Sequence, residues 1–180
     1  GWQEEAKLLA SDGEAFDNFG LRVCISGDTA IVGAYREDAN GSDSGAAYVY
    51  RFNGKQWIEE SKLLASDGAS QDFYGRAVSI SGNTAVVGAR LDDDNGQDSG
   101  SAYIYRFDGN QWMEETKLLA SDGSYVDNFG HSVSISDETA IIGARQGGAY
   151  SAGSAYIFRF NGKTWIEETV LIAGDGSTLD

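Results

Sequence analysis

The stretch "LRVCISGDTAIVGA", residues 21–34, decides the fold, because the chain writes it three times. It returns as "RAVSISGNTAVVGA" at 76–89 and "HSVSISDETAIIGA" at 131–144. Its first half alternates. Val23 and Ile25 point one way, and Arg22, Cys24 and Ser26 the other, which is the period of a β-strand. Its second half, "AIVGA", is a continuous apolar run, as expected of a strand covered on both faces. Between the halves lies a tight "SGDT" turn, built from residues that form turns without proline.

Outward from this core the pattern continues. "AAYVYRF" (46–52) is rich in aromatic and β-branched residues and reads as a third strand. "QWIEESKLLA" (56–65) is more charged and reads as an outer edge strand. Trp2, Trp57, Trp112 and Trp165 mark the period, with spacings of 55, 55 and 53 residues. The two residues missing from the third repeat fall between Ala144 and Gly153, which marks that segment as a surface loop. The repeats run over 11–65, 66–120 and 121–173, and 174–180 begins a further copy.

Four short strands per period, repeated without a helical signal, point to an all-β propeller of four-stranded antiparallel blades. A β-helix needs a shorter period. Three full strand sets are present, about 19–65, 74–120 and 129–173, with one surplus outer strand at 1–10. Closed propellers have four to eight blades. Three blades with a spare strand therefore imply a longer parent chain, or self-association into a ring or a fibre that hides the open blade faces.

The bulk numbers narrow the partners. Net charge is −15, from 28 acidic and 13 basic residues in 180. That opposes binding to nucleic acid and to anionic lipid. No apolar run approaches the roughly 20 residues of a membrane span, so no membrane insertion is expected. Cys24 is the single cysteine, and an intrachain disulfide is impossible. The chain opens at Gly1 with no signal peptide, as a mature piece or an excised fragment would.

These motifs resemble the FG-GAP repeat, the blade unit of integrin α-subunit propellers and of many bacterial surface proteins. The Phe-Gly pair stands at Phe19-Gly20 and Phe129-Gly130, with Tyr74-Gly75 as a conservative departure. The Gly-Ala pair is Gly33-Ala34, Gly88-Ala89 and Gly143-Ala144, followed by Tyr35, Arg90 and Arg145 where proline often stands. The resemblance covers nearly the whole chain. It implies a propeller with a binding or adhesive role, and an extracellular or cell-surface location. Integrin-like repeats often carry a calcium loop between strands one and two. Here only a tight turn fills that place, so that site does not transfer.

A recurring acidic phrase, "SDGEAFDNFG" at 11–20, joins each outer strand to the next inner one. Asp12 and Asp17, Asp67 and Asp72, Asp122 and Asp127, and Asp175 and Asp180 share one spacing. The favoured reading makes them turn caps ahead of an aromatic plug between blades. The other makes them ligands of Ca²⁺. The loops at 36–45 and 91–100 offer a second oxygen-rich set, Asp38, Asn40 and Asp43 with Asp92, Asp94 and Asp98, read as Ca²⁺ ligands or as solvated acidic loops. The third copy, 145–153, has no acid. His131 and Cys24 read as packing residues. The tryptophans read as blade-edge packing, with sugar stacking as the alternative. Arg51, Arg106 and Arg159 face the glutamates of the outer strand and pair with them.

No nucleophile–base constellation and no phosphate-cradling motif appears, so no enzyme is expected. The leading expectation is a non-enzymatic extracellular module that binds protein or glycan through blade loops. A self-assembling subunit joined through its surplus strand is the alternative, and a calcium-dependent lectin the third.

Overall fold

A computed structural model describes residues 1–147 and 152–173. The Asp175 and Asp180 pair, and the further repeat expected at 174–180, lie outside the described residues, as does part of the loop at 145–153.

Three antiparallel sheets follow one another in the chain, each in the simple order of its strands. The first blade holds β1 (Val23–Ser26), β2 (Thr29–Ala34), β3 (Ala46–Phe52) and β4 (Trp57–Leu63). The second holds β5 (Tyr74–Ser81), β6 (Thr84–Ala89), β7 (Ser101–Phe107) and β8 (Trp112–Leu118). The third holds β9 (Phe129–Ser136), β10 (Thr139–Ala144), β11 (Ser154–Phe160) and β12 (Trp165–Ile172). These are propeller-type blades, as the periodicity predicts. Each third-to-fourth strand pair carries a register shift at the same place, beside Tyr50, Tyr105 and Phe158. Such bulges strengthen local twist.

The core lies between blades. Ile31, Val49 and Leu63 of the first blade meet Val78, Ile80 and Val87 of the second. Val86, Ile104 and Leu118 then meet Phe129, Ile135 and Ile142 of the third. This covers both faces of β6 and one face of β2, whose other face packs against Leu8, Ala10 and Phe19. It also explains why β10 is buried on alternate residues only, since among the described residues no blade covers its outer face. Ile141 is 37% exposed, where its counterpart Val86 is 0% exposed. At the other end Val23 is 66% exposed, where Val78 is 8%.

The inner strands approach so closely that side chains are excluded. A Cβ on Gly33 would run into the backbone oxygen of Gly75, and one on Gly88 into that of Gly130. Gly75 and Gly130 take positive φ of 83°, a conformation that glycine adopts without strain.

Two expectations need correction. Residues 1–10 form no strand, and Trp2 is fully exposed. An outer strand hydrogen-bonds to a third strand of its own blade, and among the described residues no third strand pairs with residues 1–10. Leu8 and Ala10 still pack on the first blade beside Phe19 and Tyr48. The first inner strand is also shorter than 21–27. It is four residues against eight in β5 and β9. Tyr74 and Phe129 are held by parallel bridges to Gly45 and Gly100 of the preceding blade, and among the described residues no such bridge holds Phe19.

Candidate functional site

The two ends of the blades differ. One end carries only tight turns, in which Asn53, Asp108 and Asn161 accept hydrogen bonds from the next backbone amides. The other end carries the acidic phrases and the loops between second and third strands, and is the candidate functional face.

On that face the loops are knitted across blade junctions. Gln71, Phe73 and Tyr74 N–H groups donate to the carbonyls of Ser42, Asp43 and Ser44. Val126, Asn128 and Phe129 repeat the pattern on Gln97, Asp98 and Ser99. Asn40 Nδ2 donates to the Ala65 carbonyl at 3.0 Å, and Asn95 to Ala120 at 3.3 Å. Asp38 Oδ1 accepts the Asp43 N–H at 2.7 Å. Asp43 and Asp98 both sit at positive φ, about 55°. Loops held this way are preorganised surfaces.

The acidic phrase divides its labour. Asp17, Asp72 and Asp127 are buried, and each caps its own loop through the N–H three residues earlier, at 2.6–2.7 Å. Burial, with Asp92 and Asp93 nearby, pushes the Asp72 carboxyl up to about 6, although the Ala69 N–H opposes this.

Asp12 and Asp67 instead turn to a lysine and a tyrosine. Tyr48 OH donates to Asp12 at 2.8 Å, and Lys62 Nζ reaches Asp12 at 2.6 Å and Glu37 at 2.7 Å. In the second blade Tyr103 OH donates to Asp67 at 2.7 Å. Lys117 Nζ contacts Asp67 and Asp92 at 2.8 Å and Asp94 at 2.7 Å. Burial alone would lower the Lys117 ammonium, but the hydrogen bonds to Asp67, Asp92 and Asp94 outweigh it and hold it above its ordinary value. Both lysines were overlooked in the sequence reading. In the third blade Val170 replaces them, Gly147 replaces the loop acid, and Asp122 keeps only the Tyr156 hydroxyl.

This donor set does not fit calcium. Asp92 and Asp94 share the Lys117 ammonium, Glu37 shares that of Lys62, and Asp38 caps the Asp43 N–H, whereas a Ca²⁺ ion needs six to eight oxygens free to face it. Among the described residues, no group of three or more His, Cys, Asp or Glu side chains is disposed to hold a metal ion.

The aromatic residues are packing elements. Phe19, Tyr74 and Phe129 pack edge-on against Tyr48, Tyr103 and Tyr156, with centroids 5.2–5.6 Å apart. Trp57, Trp112 and Trp165 tilt against Phe52, Phe107 and Phe160. Trp112 Nε1 donates to Glu60 at 2.8 Å, across the blade junction. The same Glu60 takes both arms of the Arg51 guanidinium, and Arg51 lies 4.7 Å over Phe107. Arg106 pairs with Glu115, and Arg159 with Glu168, in the same manner.

Blades of four antiparallel strands, joined by interlocking loops and by an outer Trp–Glu–Arg seam, define a β-propeller-type repeat protein. The chain belongs to the FG-GAP repeat family, which matches residues 2–50, 57–105 and 112–158. No curated protein matches the chain in sequence. Among solved structures it is similar to the crystal structure of Saccharomyces cerevisiae Sqt1, with 13% identity and a TM-score of 0.49. The match covers 86% of this chain and 35% of that one, so the chain spans about a third of the yeast protein's length.

Proposed function

We propose that the chain is a non-enzymatic binding and adhesion module of an extracellular or cell-surface protein, which engages protein or glycan through the loop face of its blades. The observation that carries this reading is the asymmetry of the two ends. One end is tight turns of nearly constant sequence. The other is a set of loops whose sequences differ most between repeats, from "REDANGSDSG" to "LDDDNGQDSG", both knitted across a blade junction, to the shortened "RQGGAYSAG". Variation on a fixed frame is how a scaffold carries recognition.

The test is retention of the labelled chain on arrays of glycans and of extracellular proteins, with calcium and with EDTA. Ala39→Arg and Gln97→Arg alter exposed loop positions, and Lys55→Glu and Lys163→Glu alter the turn end. Binding is expected to fall at least about tenfold in the loop variants, roughly the cost of one lost hot-spot contact. Turn variants are expected to bind normally. No retention in either buffer, or equal losses at both ends, would refute the proposal. Calcium dependence is not expected, which separates this reading from a calcium-dependent lectin.

The exposed Val23 and Ile141 support a second reading, in which copies stack first blade against third to form rings or filaments. Particle mass in solution tests it. A strictly monomeric chain at high concentration removes it.

A further inference from the structure

The loop face has an unexpected centre. In a chain of net charge −15, four of the thirteen basic residues gather where the inner strands begin and end. Gly33 lies against Gly75, and Gly88 against Gly130, and these contacts fix the neighbours. Tyr35 is brought beside Arg76, whose guanidinium lies 5.4 Å over the Tyr35 ring. By the same repeat geometry Arg90 is brought beside His131. Arg90 also lies 5.3 Å over Phe73, which packs edge-on against Tyr35 at 5.3 Å. Arg145 and Arg22 flank the group on the third and first blades.

These cations lack carboxylate partners. Among the described residues Arg22, Arg76, Arg90 and Arg145 make no salt bridge, whereas Arg51, Arg106, Arg159, Lys62 and Lys117 all do. Arg90 Nε and His131 Nδ1 are buried with no hydrogen-bond partner. A buried donor left open is costly, and native structures seldom tolerate one without a reason. Burial and then the neighbouring Arg76 and Arg145 lower the Arg90 guanidinium, and Asp98 opposes them only in part. Burial lowers His131 first, followed by Arg90, Arg145, Arg76 and Arg22. The group is a set of neighbouring, mutually repelling donors, two of them stacked on aromatic rings.

We propose that Arg76, Arg90, Arg145 and His131 form a binding site for a compact tetrahedral dianion of the phosphate or sulfate type, at the axial mouth of the loop face. Guanidinium forks match such oxyanions in geometry, and the aromatic rings hold the Arg76 and Arg90 planes in place. Several cations with little opposing charge favour a dianion over a monovalent carboxylate. The acidic loops around the mouth repel long polyanions, so the ligand is a small ion or a single terminal ester group. The site is independent of the blade-loop reading above, because the mouth can hold an anion whether or not the loops bind a partner.

The experiment is thermal unfolding of the full chain in inorganic phosphate, sulfate, acetate and chloride at matched ionic strength, with a hexose phosphate as the ester arm. At ten times its dissociation constant, phosphate should raise the melting temperature by about 3–5 °C beyond chloride. Arg90→Gln and Arg76→Gln should each melt higher than the parent in chloride, because repulsion is relieved, and should lose the phosphate increment. Arg159→Gln, on the outer seam, should keep the increment. A larger shift with the hexose phosphate than with free phosphate assigns the group to an ester, and equal shifts assign it to the free ion. Equal melting in phosphate and chloride, or an undiminished phosphate increment in both mouth variants, overturns the proposal.

Discussion

Replacing Gly88 with alanine tests the blade packing more sharply than any core truncation. Gly88 has an ordinary negative φ, so alanine meets no backbone penalty there. The new Cβ would nevertheless sit well inside 3.0 Å of the Gly130 backbone oxygen in the next blade. Ordinary contact begins at 3.4 Å, so the second and third blades must part by about an ångström at their innermost strands. Overpacking costs about 1–3 kcal/mol, and a backbone obstacle that cannot rotate away places this site at about 3 kcal/mol. For a chain of this size that corresponds to about 6–12 °C in melting temperature. Gly33→Ala should behave alike, since it meets Gly75. Gly143 is the internal control, because among the described residues no blade packs against it and its added Cβ meets chiefly the Ser132 hydroxyl, a side chain free to turn. Gly143→Ala should be neutral, or gain up to about 1 kcal/mol from the less flexible unfolded chain. Thermal melts followed by circular dichroism read all three. If Gly88→Ala and Gly143→Ala melt within a degree or two of each other, the stacking of blades described above is wrong.

Lys117→Met strands the Asp67, Asp92 and Asp94 carboxylates and should cost about 3 kcal/mol by chemical denaturation, while the parent chain should melt alike in calcium and magnesium. Asp72→Asn should raise stability at pH 7. Its carboxyl titrates near 6 when folded and near 3.8 when unfolded, so charging it destabilises the fold as pH rises through that window. The gain should shrink as pH falls below 6 and vanish below 3.8, which melts across pH will show. Val78→Lys places a charge in the interblade core and should cost more than 3 kcal/mol. Val23→Lys with Ile25→Lys, at exposed counterparts of that site, should cost under about 0.5 kcal/mol and lower any self-association seen by light scattering.

The blades were legible because three copies report the same alternation, and period two admits few alternatives. The Arg51–Glu60 pairing was legible too, since both residues recur on adjacent strands. The lysines at the acidic loops escaped notice although a signal was present: Val170 replaces the lysine in the one repeat whose loop has lost its acids. That coupling becomes visible only when outer strands are compared with loops 25 residues away. The cationic mouth left no such trace. Leu21, Arg76 and His131 look like an unconstrained column, and Arg76 and His131 meet Tyr35 and Arg90 only across a blade junction. The first ten residues misled because a strand's sequence does not supply its partner.

The joints between blades are written inside the repeat rather than at its borders. A family unit such as 57–105 begins on one blade's rim and ends three strands into the next, so each tandem copy brings both halves of a hinge-free coupling with it. Duplication or loss of a whole copy therefore changes the number of blades without calling for any newly evolved contact. Descendants of such a gene can explore rings of different circumference while every seam stays the same.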